Sequence, residues 1–370
     1  MNIETLIYAY LAICTSMIVF NCACIFVFHR RDTSLRWRST RLEEDIVRQT
    51  RRIREGEGVE ERHKALLQKK LVRTNSLLVF DETLDRLLGQ SSEDVWAYLR
   101  EVRPVFTYLA LENKYHSAMK VTYFAYVIKK YRVIQGCPVS VIIDVMMKLL
   151  QEPGLYCREN ALQAIYSCGD CGCVLQALRE VDKSGRFHHA KLLTDGLLSF
   201  GGDLEELAGI LWNAFDQFSV SMKVVILDYI RFGGGQLHEE LLQLLADERQ
   251  DDEIRFSCIR YFGRYRYEPA FPLLIAFAEN PQEQRWEYAA IAAMALAAYP
   301  GERTIEVLKK ALNSSSWYVR FNASKSLEHF HLSYLELSDV MEGGDRYARE
   351  ILQYQMDLES AREEREAALI

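Results

Sequence analysis

The feature of this sequence that most constrains its fold is an internal repeat that recurs at a nearly constant interval. Each copy holds one helix-forming stretch, a turn, and a second helix-forming stretch. A single helical hairpin cannot bury its apolar face alone, so consecutive hairpins stack and share a core. The repeat therefore predicts an all-α solenoid. Equivalent positions in six consecutive copies are Arg158, Lys191, Lys223, Arg255, Ala289 and Arg320. An earlier copy is predicted around residues 119–126.

The repeated segment resembles the short bacterial HEAT repeat, which is also found in phycobilisome-lyase-like proteins. The similarity covers about residues 115–342 and implies a right-handed α-solenoid of HEAT-like hairpins. Small residues would let neighbouring helices approach, and Asp203 with Glu206 has the spacing of a capping box. The residues that match the HEAT pattern best are Ile254, Arg255 and Gly263, the run 268–274, and Val319, Arg320 and Ala323.

The N-terminal segment 1–31 predicts a membrane anchor. The stretch 6–28 is an unbroken run without a charged side chain. A helix of that length reaches roughly 35 Å, enough to cross a hydrocarbon core of about 30 Å. A cleaved signal peptide would need a basic start and a small-residue cleavage site, and neither is present. The sequence therefore predicts one uncleaved N-terminal transmembrane helix.

Arginine distribution predicts the orientation of this anchor. No Lys or Arg precedes the apolar run, whereas nine Arg lie between residues 30 and 54. Positively charged flanks stay on the cytoplasmic side. The N-terminus is therefore expected outside and the rest of the chain in the cytoplasm. The resemblance to bacterial repeat proteins makes the bacterial inner membrane the expected location.

The cysteines after residue 74 are interpreted as reduced thiols that pack as small apolar groups.

Charge divides the rest of the chain into a basic and an acidic part. Residues 29–73 carry a net charge of +6, and residues 74–370 carry −12. An acidic body lacks the basic surface that phosphate binding needs, so no nucleic-acid partner is expected. The basic stretch either lies against anionic lipid headgroups or only sets the membrane orientation. A helix break is expected near Gly56 and Gly58.

The sequence accordingly predicts five segments. They are an anchor at 1–31, a mixed-charge juxtamembrane helical linker at 32–74, a helical cap or degenerate repeats at 75–114, the repeat array at 115–342, and a C-terminal capping helix or tail at 343–370.

Two clusters could be read as metal sites, and neither has the required pattern. Cys168, Cys171 and Cys173 lie close together, but a structural zinc site needs four suitably spaced ligands. The pair His238–Glu239 resembles the iron ligands of HEAT-repeat hydroxylases, which need several such pairs. No metal, cofactor or catalytic residue is therefore predicted.

One stretch interleaves arginine and aromatic residues, a pattern that can stack on single-stranded nucleic acid. It runs from residue 260 to residue 267. In an acidic body we instead expect Tyr261 and Phe262 in the core and the arginines next to local carboxylates.

The function predicted from these features is a non-catalytic, membrane-tethered cytoplasmic scaffold. Its expected partner is a protein, for example a membrane enzyme or a transport complex. The alternatives are a sensor or regulator that binds a small ligand in the solenoid groove, and a HEAT-type lyase or hydroxylase. In HEAT-like arrays the second helix of each hairpin lines the concave face. The partner-binding residues predicted there are Glu205, Glu239, Glu240, Lys309 and Lys310.

Overall fold

The computed structural model describes residues 3–113, 118–137, 140–234, 236–279 and 285–367. Within the first and last helices, side chains are described for residues 10, 12–24 and 37–358. All regular structure in these ranges is helical, which confirms the all-α class and is consistent with an α-solenoid. The chain forms two compact units, Met1–Val181 and Asp182–Ile370.

The first unit contains nine described helices. They are α1 (Ile3–Arg54), α2 (Glu61–Leu71), α3 (Thr74–Leu88), α4 (Ser92–Glu101), α5 (Arg103–Asn113), α6 (Ala118–Lys130), α7 (Val141–Leu149), α8 (Leu155–Tyr166) and α9 (Cys171–Lys183), inside which the division between the units falls.

Helix α1 has 52 residues and two halves with different surroundings. Its second half packs on α3 and α4, with Ser39, Ile46 and Gln49 buried. It therefore belongs to the packed first unit, although the sequence suggested a linker at 32–74. Helix α1 ends just before the break that the sequence predicts at Gly56 and Gly58. Both glycines adopt the left-handed backbone conformation that favours glycine, with φ of +81° and +73°.

The first half of α1 contains the run 6–28 that was expected to span a membrane. The side chains of residues 3–9, 11 and 25–36 lie outside the described part of the chain. Over the residues that are described, no helix combines the length and the apolar character needed to cross a bilayer.

A buried polar network joins α3 to α6 in the first unit. The carboxylate of Asp81 accepts hydrogen bonds from Lys130 Nζ (2.7 Å), Tyr123 (2.6 Å) and Tyr131 (2.6 Å). Burial alone would raise the pKa of Asp81, but these hydrogen bonds outweigh it and hold the pKa below its ordinary value. The network therefore fixes α6, the first repeat-like helix, to the helices before it.

The second unit contains eleven described helices. They are α10 (Ala190–Leu198), α11 (Leu204–Asn213), α12 (Val220–Gly233), α13 (His238–Ala246), α14 (Asp252–Phe262), α15 (Phe271–Ala278), α16 (Trp286–Ala295), α17 (Glu302–Ala311), α18 (Trp317–Glu328), α19 (Tyr334–Met341) and α20 (Arg346–Ala367).

These helices form two layers. The even-numbered helices α10 to α20 pack side by side, and we call them the first layer. The odd-numbered helices α11 to α19 each pack on the next first-layer helix and form the second layer. The repeat positions identified in the sequence, from Lys191 to Arg320, all lie in first-layer helices. The sequence thus predicted the order of the hairpins correctly.

The basic residue that opens several copies has a common structural role. Arg158 Nη1 donates to the carbonyl oxygens of Glu152 and Pro153, six and five residues earlier, at 2.9 and 2.8 Å. Arg320 repeats the contact with the carbonyls of Ser314 (2.5 Å) and Ser315 (3.2 Å). These arginines satisfy carbonyl groups that the turn before the helix would leave unpaired.

The same contact recurs near the C-terminus. Arg349 Nη1 donates to the carbonyl oxygen of Gly343, again six residues earlier. Helix α20 also packs on α18, as each first-layer helix packs on the one before it. It therefore continues the repeat frame in the segment that the sequence suggested to be a cap or tail.

Small residues permit the close packing of α14 and α16. Gly263 follows α14, and a methyl group there would lie 2.9 Å from Cα of Ala295, closer than side-chain carbons come to backbone. Two side chains of α18 donate to carbonyls of α16, Asn322 to Ala290 and Ser326 to Ala293, each at 2.8 Å. Adjacent first-layer helices are thus joined by backbone approach and by hydrogen bonds.

Candidate functional site

The acidic residues predicted to bind a partner all lie at one type of position. Glu205 is in the first turn of α11, and Glu239 and Glu240 are in the first turn of α13. All three side chains are exposed or partly exposed. Negative charge in a first turn stabilises the helix dipole, so part of their role is structural. The position nevertheless presents carboxylates at the same end of two second-layer helices.

Asp203 begins α11, and of the predicted capping box with Glu206 the structure shows the half in which the Asp203 side chain is the acceptor. Its Oδ1 accepts hydrogen bonds from the backbone N–H groups of Glu205 (2.8 Å) and Glu206 (3.0 Å). These donors have no partner inside the helix, so the cap fixes where α11 starts. The orientation of the Glu205 backbone is therefore well determined.

The predicted basic residues line a cavity of about 330 Å³ between α17, α19 and the start of α20. Lys309 Nζ lies 2.8 Å from Asp339 Oδ1 and also donates to the carbonyl of Glu336. Lys310 Nζ lies 3.8 Å from Glu279. Both ammonium groups therefore already face carboxylates, so this end of the second layer has less free positive charge than the sequence suggests.

The three neighbouring cysteines surround the start of α9. Asp170 Oδ1 accepts from the backbone N–H of Cys173 at 2.7 Å, and Cys168 Sγ accepts from that of Asp170 at 3.3 Å. Burial raises the pKa of Cys168, and burial with a hydrogen bond to Asp170 raises that of Cys173 to about 12. Both shifts favour the protonated thiols of Cys168 and Cys173, and Cys168 Sγ takes part in the turn that leads into α9.

His238 is held by aromatic side chains. Its Nδ1 lies 3.0 Å from the hydroxyl of Tyr261, and its ring stacks on that of Tyr267 with centroids 5.2 Å apart. The neighbouring Glu239 is exposed to solvent. Throughout the described ranges, no group of three or more His, Cys, Asp or Glu side chains is arranged to hold a metal ion.

The stretch 260–267 follows the prediction for its two core aromatic residues and for Arg266, and departs from it at Arg264, which lies on an aromatic ring instead of next to a carboxylate. Tyr261 and Phe262 are buried in the core of the second unit. Arg266 Nε donates to Glu268 at 2.7 Å, and the Arg264 guanidinium lies over the ring of Phe232, 5.4 Å from its centroid. Local partners therefore occupy these arginines.

An exposed aromatic patch was not predicted from the sequence. We define the aromatic patch as Trp286, Trp317, Tyr318 and Phe321, whose rings contact one another. Trp317 and Tyr318 are 50% and 57% exposed. Trp286 stacks on Tyr318 (5.1 Å) and Trp317 on Phe321 (4.9 Å). Stacked but uncovered aromatic rings are a composition typical of protein interfaces.

A sequence signal for this patch exists. Trp317 and Tyr318 are consecutive at the start of α18. Successive residues of a helix point about 100° apart, and only one of the two can face the core. Here Val319 takes the buried position, so both aromatic residues remain outside.

Comparisons with known proteins give little further information. No family model matches the chain, and no curated protein matches it. Among solved structures, the chain is similar to human deoxyhypusine hydroxylase in complex with glycerol. The sequence identity is 15% and the TM-score 0.26, with 80% of this chain and 96% of that chain covered. A TM-score this low carries no argument about fold or function, so the HEAT-like class stays a prediction.

Proposed function

We propose that this protein is a non-catalytic, membrane-tethered scaffold of HEAT-like repeats that holds a protein partner close to the bilayer. The observation that carries the proposal is the division of α1. One half of this continuous helix is packed into the first unit, and the other half exposes apolar side chains.

In the described part of the exposed half, apolar side chains face every side of the helix. Met17, Ile18, Val19 and Phe20 are consecutive and 60–68% exposed. At about 100° per residue these four side chains point around nearly the whole circumference of the helix. A partner helix would cover only one stripe, whereas a bilayer covers all sides. This distribution supports a lipid environment for the first half of α1.

The proposed topology follows from the flanking charges. Residues 30–54 carry nine Arg, and these would remain on the cytoplasmic side of an inner membrane. The repeat units would then lie in the cytoplasm and the N-terminus outside. The free cysteines in the described part of both units are compatible with a reducing compartment.

The titratable side chains support a packing role over a catalytic one. Asp81 is an acceptor for three neighbouring donors, and its lowered pKa keeps it ionised as a structural anion. Burial raises the pKa of Cys258 to about 12, opposite to the shift that activates a cysteine nucleophile.

The proposed partner contacts lie in the second unit. Exposed tryptophan and tyrosine side chains dominate the binding energy of many protein interfaces, which favours the aromatic patch as the main contact. The carboxylates of Glu205, Glu239 and Glu240 would steer a partner of complementary charge. Lys309 and Lys310, already next to carboxylates, would contribute less.

Membrane extraction tests the tether directly. The full-length chain should stay in the membrane pellet after a high-salt wash and after an alkaline carbonate wash. A chain that lacks the segment 1–31 should be found in the supernatant. If the full-length chain is extracted by carbonate, or if the truncated chain remains in the pellet, the proposed tether is wrong.

Two further measurements test topology and scaffolding. A reporter fused after Ile370 should be active only if it works in the cytoplasm. Affinity purification from mild-detergent extracts of native membranes should recover one protein in a stoichiometric ratio. Periplasmic reporter activity would reverse the orientation, and a small molecule retained without any protein would favour a ligand-binding regulator.

A further inference from the structure

A basic pocket lies in the first unit at the place where α1 joins the packed helices. Its volume is about 460 Å³. The side chains of α1 form one wall, and the end of α2 with the start of α3 forms the other. We define the basic pocket by the charged and aromatic side chains that line it: Trp37, Arg38, Arg41, Asp45, Lys70 and Arg73.

The charge of the basic pocket is strongly unbalanced. Four of its side chains are basic and one is acidic, and the acidic residue, Asp45, lies 3.7 Å from Arg48 outside the pocket. Among the residues that the structure describes, none of the four basic side chains forms an ion pair with a carboxylate. Four cations around one cavity repel each other, so an anion bound between them is favourable.

The pocket also offers apolar surface next to the cations. The guanidinium of Arg41 lies 5.6 Å from the ring centroid of Trp37, and Trp37 is 63% exposed. Leu42 and Leu66 add apolar lining. An anion with an attached apolar group fits this combination better than a small inorganic ion does, because the ion would leave the apolar wall unused.

The position of the pocket along α1 indicates where such an amphiphile would come from. Trp37 follows the last residue of the apolar run by nine positions, which is about 14 Å of helix. Lipid headgroups extend roughly 5–8 Å beyond each side of the hydrocarbon core. With α1 upright, the pocket would therefore begin about 6–9 Å beyond the headgroup layer, and tilt of the helix would bring it closer. Tryptophan is also enriched at membrane–water interfaces.

We propose that the basic pocket binds the phosphate headgroup of an anionic phospholipid. Arg41, Lys70 and Arg73 would donate to the phosphate oxygens, and Trp37 would lie against the glycerol and upper acyl chain. The proposal rests on the proposed membrane tether. It adds that the first unit recognises a lipid, in addition to being held by an apolar helix.

Native mass spectrometry of the full-length chain in neutral detergent tests this proposal. The probes are dioleoyl phosphatidylglycerol and, as a neutral reference, dioleoyl phosphatidylcholine. We expect one phosphatidylglycerol to stay bound and phosphatidylcholine not to compete with it. The double variant Arg41→Gln/Lys70→Gln should lower the affinity for phosphatidylglycerol about tenfold or more.

A matched variant separates the pocket from general surface charge. Arg51→Gln/Lys69→Gln removes two exposed basic residues from the same two helices, outside the pocket lining. It should keep the affinity for phosphatidylglycerol. Equal losses in both double variants, or no bound phosphatidylglycerol in the unaltered chain, would overturn the proposal. Full displacement by millimolar inorganic phosphate would make the ligand a free anion and would also overturn it.

The carbonate wash keeps this proposal distinct from the tether. Arg41→Gln/Lys70→Gln should remain in the carbonate-washed pellet as the unaltered chain does, because an apolar helix does not depend on these charges. A chain that carbonate extracts but that still binds phosphatidylglycerol in detergent would refute the tether alone.

Discussion

The hydroxyl of Ser39, on α1, lies 2.9 Å from the hydroxyl of Thr83, on α3, and both residues are buried. Thr83 also donates to the carbonyl of Val79 at 2.6 Å. These contacts join the long helix to the packed part of the first unit, nine residues after the arginine-rich segment begins at Arg30. We therefore expect α1 to contribute to the stability of that unit.

The first prediction concerns the packed half of α1. Ile46 is completely buried, and Ile46→Ala should lower the free energy of unfolding of the first unit by roughly 2–4 kcal/mol because it leaves a cavity. The measurement is hydrogen exchange of α3 and α4 in the full-length chain. Val47→Ala alters the exposed neighbour of Ile46 and should change the free energy of unfolding by less than about 0.5 kcal/mol. Equal protection in both variants would mean that α1 is not part of the folded unit.

The second prediction concerns the pH dependence of the network around Asp81. Because the pKa of the folded-state carboxyl is lower than that of the unfolded chain, its stabilisation is present above about pH 4. It is lost as the pH falls through the folded-state value. The pKa of Lys130 is raised by its hydrogen bonds to Asp81 and Asp85, which outweigh burial, so its contribution is lost only at strongly alkaline pH.

Substitution of Asp81 tests this network. Asp81→Asn should reduce stability by roughly 1.5–3 kcal/mol at pH 7 and should flatten the loss of stability below pH 4. The measurement is the exchange of α3 and α6 amides as a function of pH. Glu82→Gln removes the exposed charge next to Asp81 and should leave the profile unchanged. If amide exchange in Asp81→Asn depends on pH as it does in the unaltered chain, Asp81 does not contribute to the pH dependence of stability.

The third prediction concerns the buried thiols. Burial raises the pKa of Cys258 to about 12, so at pH 8 it carries far less thiolate than an ordinary cysteine. Maleimide should therefore modify Cys258 only after the chain is unfolded in urea. Mass spectrometry of the labelled peptides measures the rate in both states. Rapid labelling of Cys258 in the native protein would show that α14 is not packed as described.

The fourth prediction concerns the acidic residues at the starts of α11 and α13. Glu205→Lys/Glu239→Lys reverses the second residue of each of these helices, whereas Glu159→Lys/Glu253→Lys reverses one carboxylate of α8 and one of α14. The first pair should slow association with the copurified partner, most strongly at low salt. The second pair serves as the control, because it makes the same charge change on helices that carry no residue of the proposed contacts. Equal effects would refute a steering role of the carboxylates of α11 and α13.

The aromatic patch gives the fifth prediction. Trp317→Ala/Tyr318→Ala should lower the affinity for the copurified partner tenfold or more, roughly the loss of one interface hot spot. Tyr156→Ala removes a tyrosine that is 82% exposed in the first unit and should have no effect. Circular dichroism and thermal unfolding should confirm that both variants fold. Unchanged affinity in the double variant would exclude the patch as the main contact.

The helical order of the second unit was predictable, because each repeat carries its own periodic core residues. Buried Ala292, Leu296 and Ala323 follow from pattern alone, as does the cap at Asp203. The two-unit division was not predictable, since it depends on packing between helices far apart in the sequence. The same holds for the packing of residues 37–54, whose mixed charges suggested a solvated linker.

The candidate sites were harder to predict than the fold. The positions of Glu205 and Glu239 at helix starts follow from local sequence. The neutralisation of Lys309 by Asp339 does not, because these residues are thirty positions apart and meet only after α17 and α19 stack. The basic pocket likewise joins Arg41 to Lys70 across two helices.

If the first half of α1 spans a membrane as proposed, the unbroken helix would fix the rotation of the first unit about the helix axis as well as its distance from the bilayer. A flexible tether would limit only that distance. A continuous helix would also fix which side of the first unit faces the membrane plane. Each residue inserted between the two halves would turn one half against the other by about 100°, and about 18 residues restore the alignment in five turns. The number of residues between the two halves of α1 would thus determine the rotation of the first unit about the helix axis, and its surfaces would meet the membrane in one orientation.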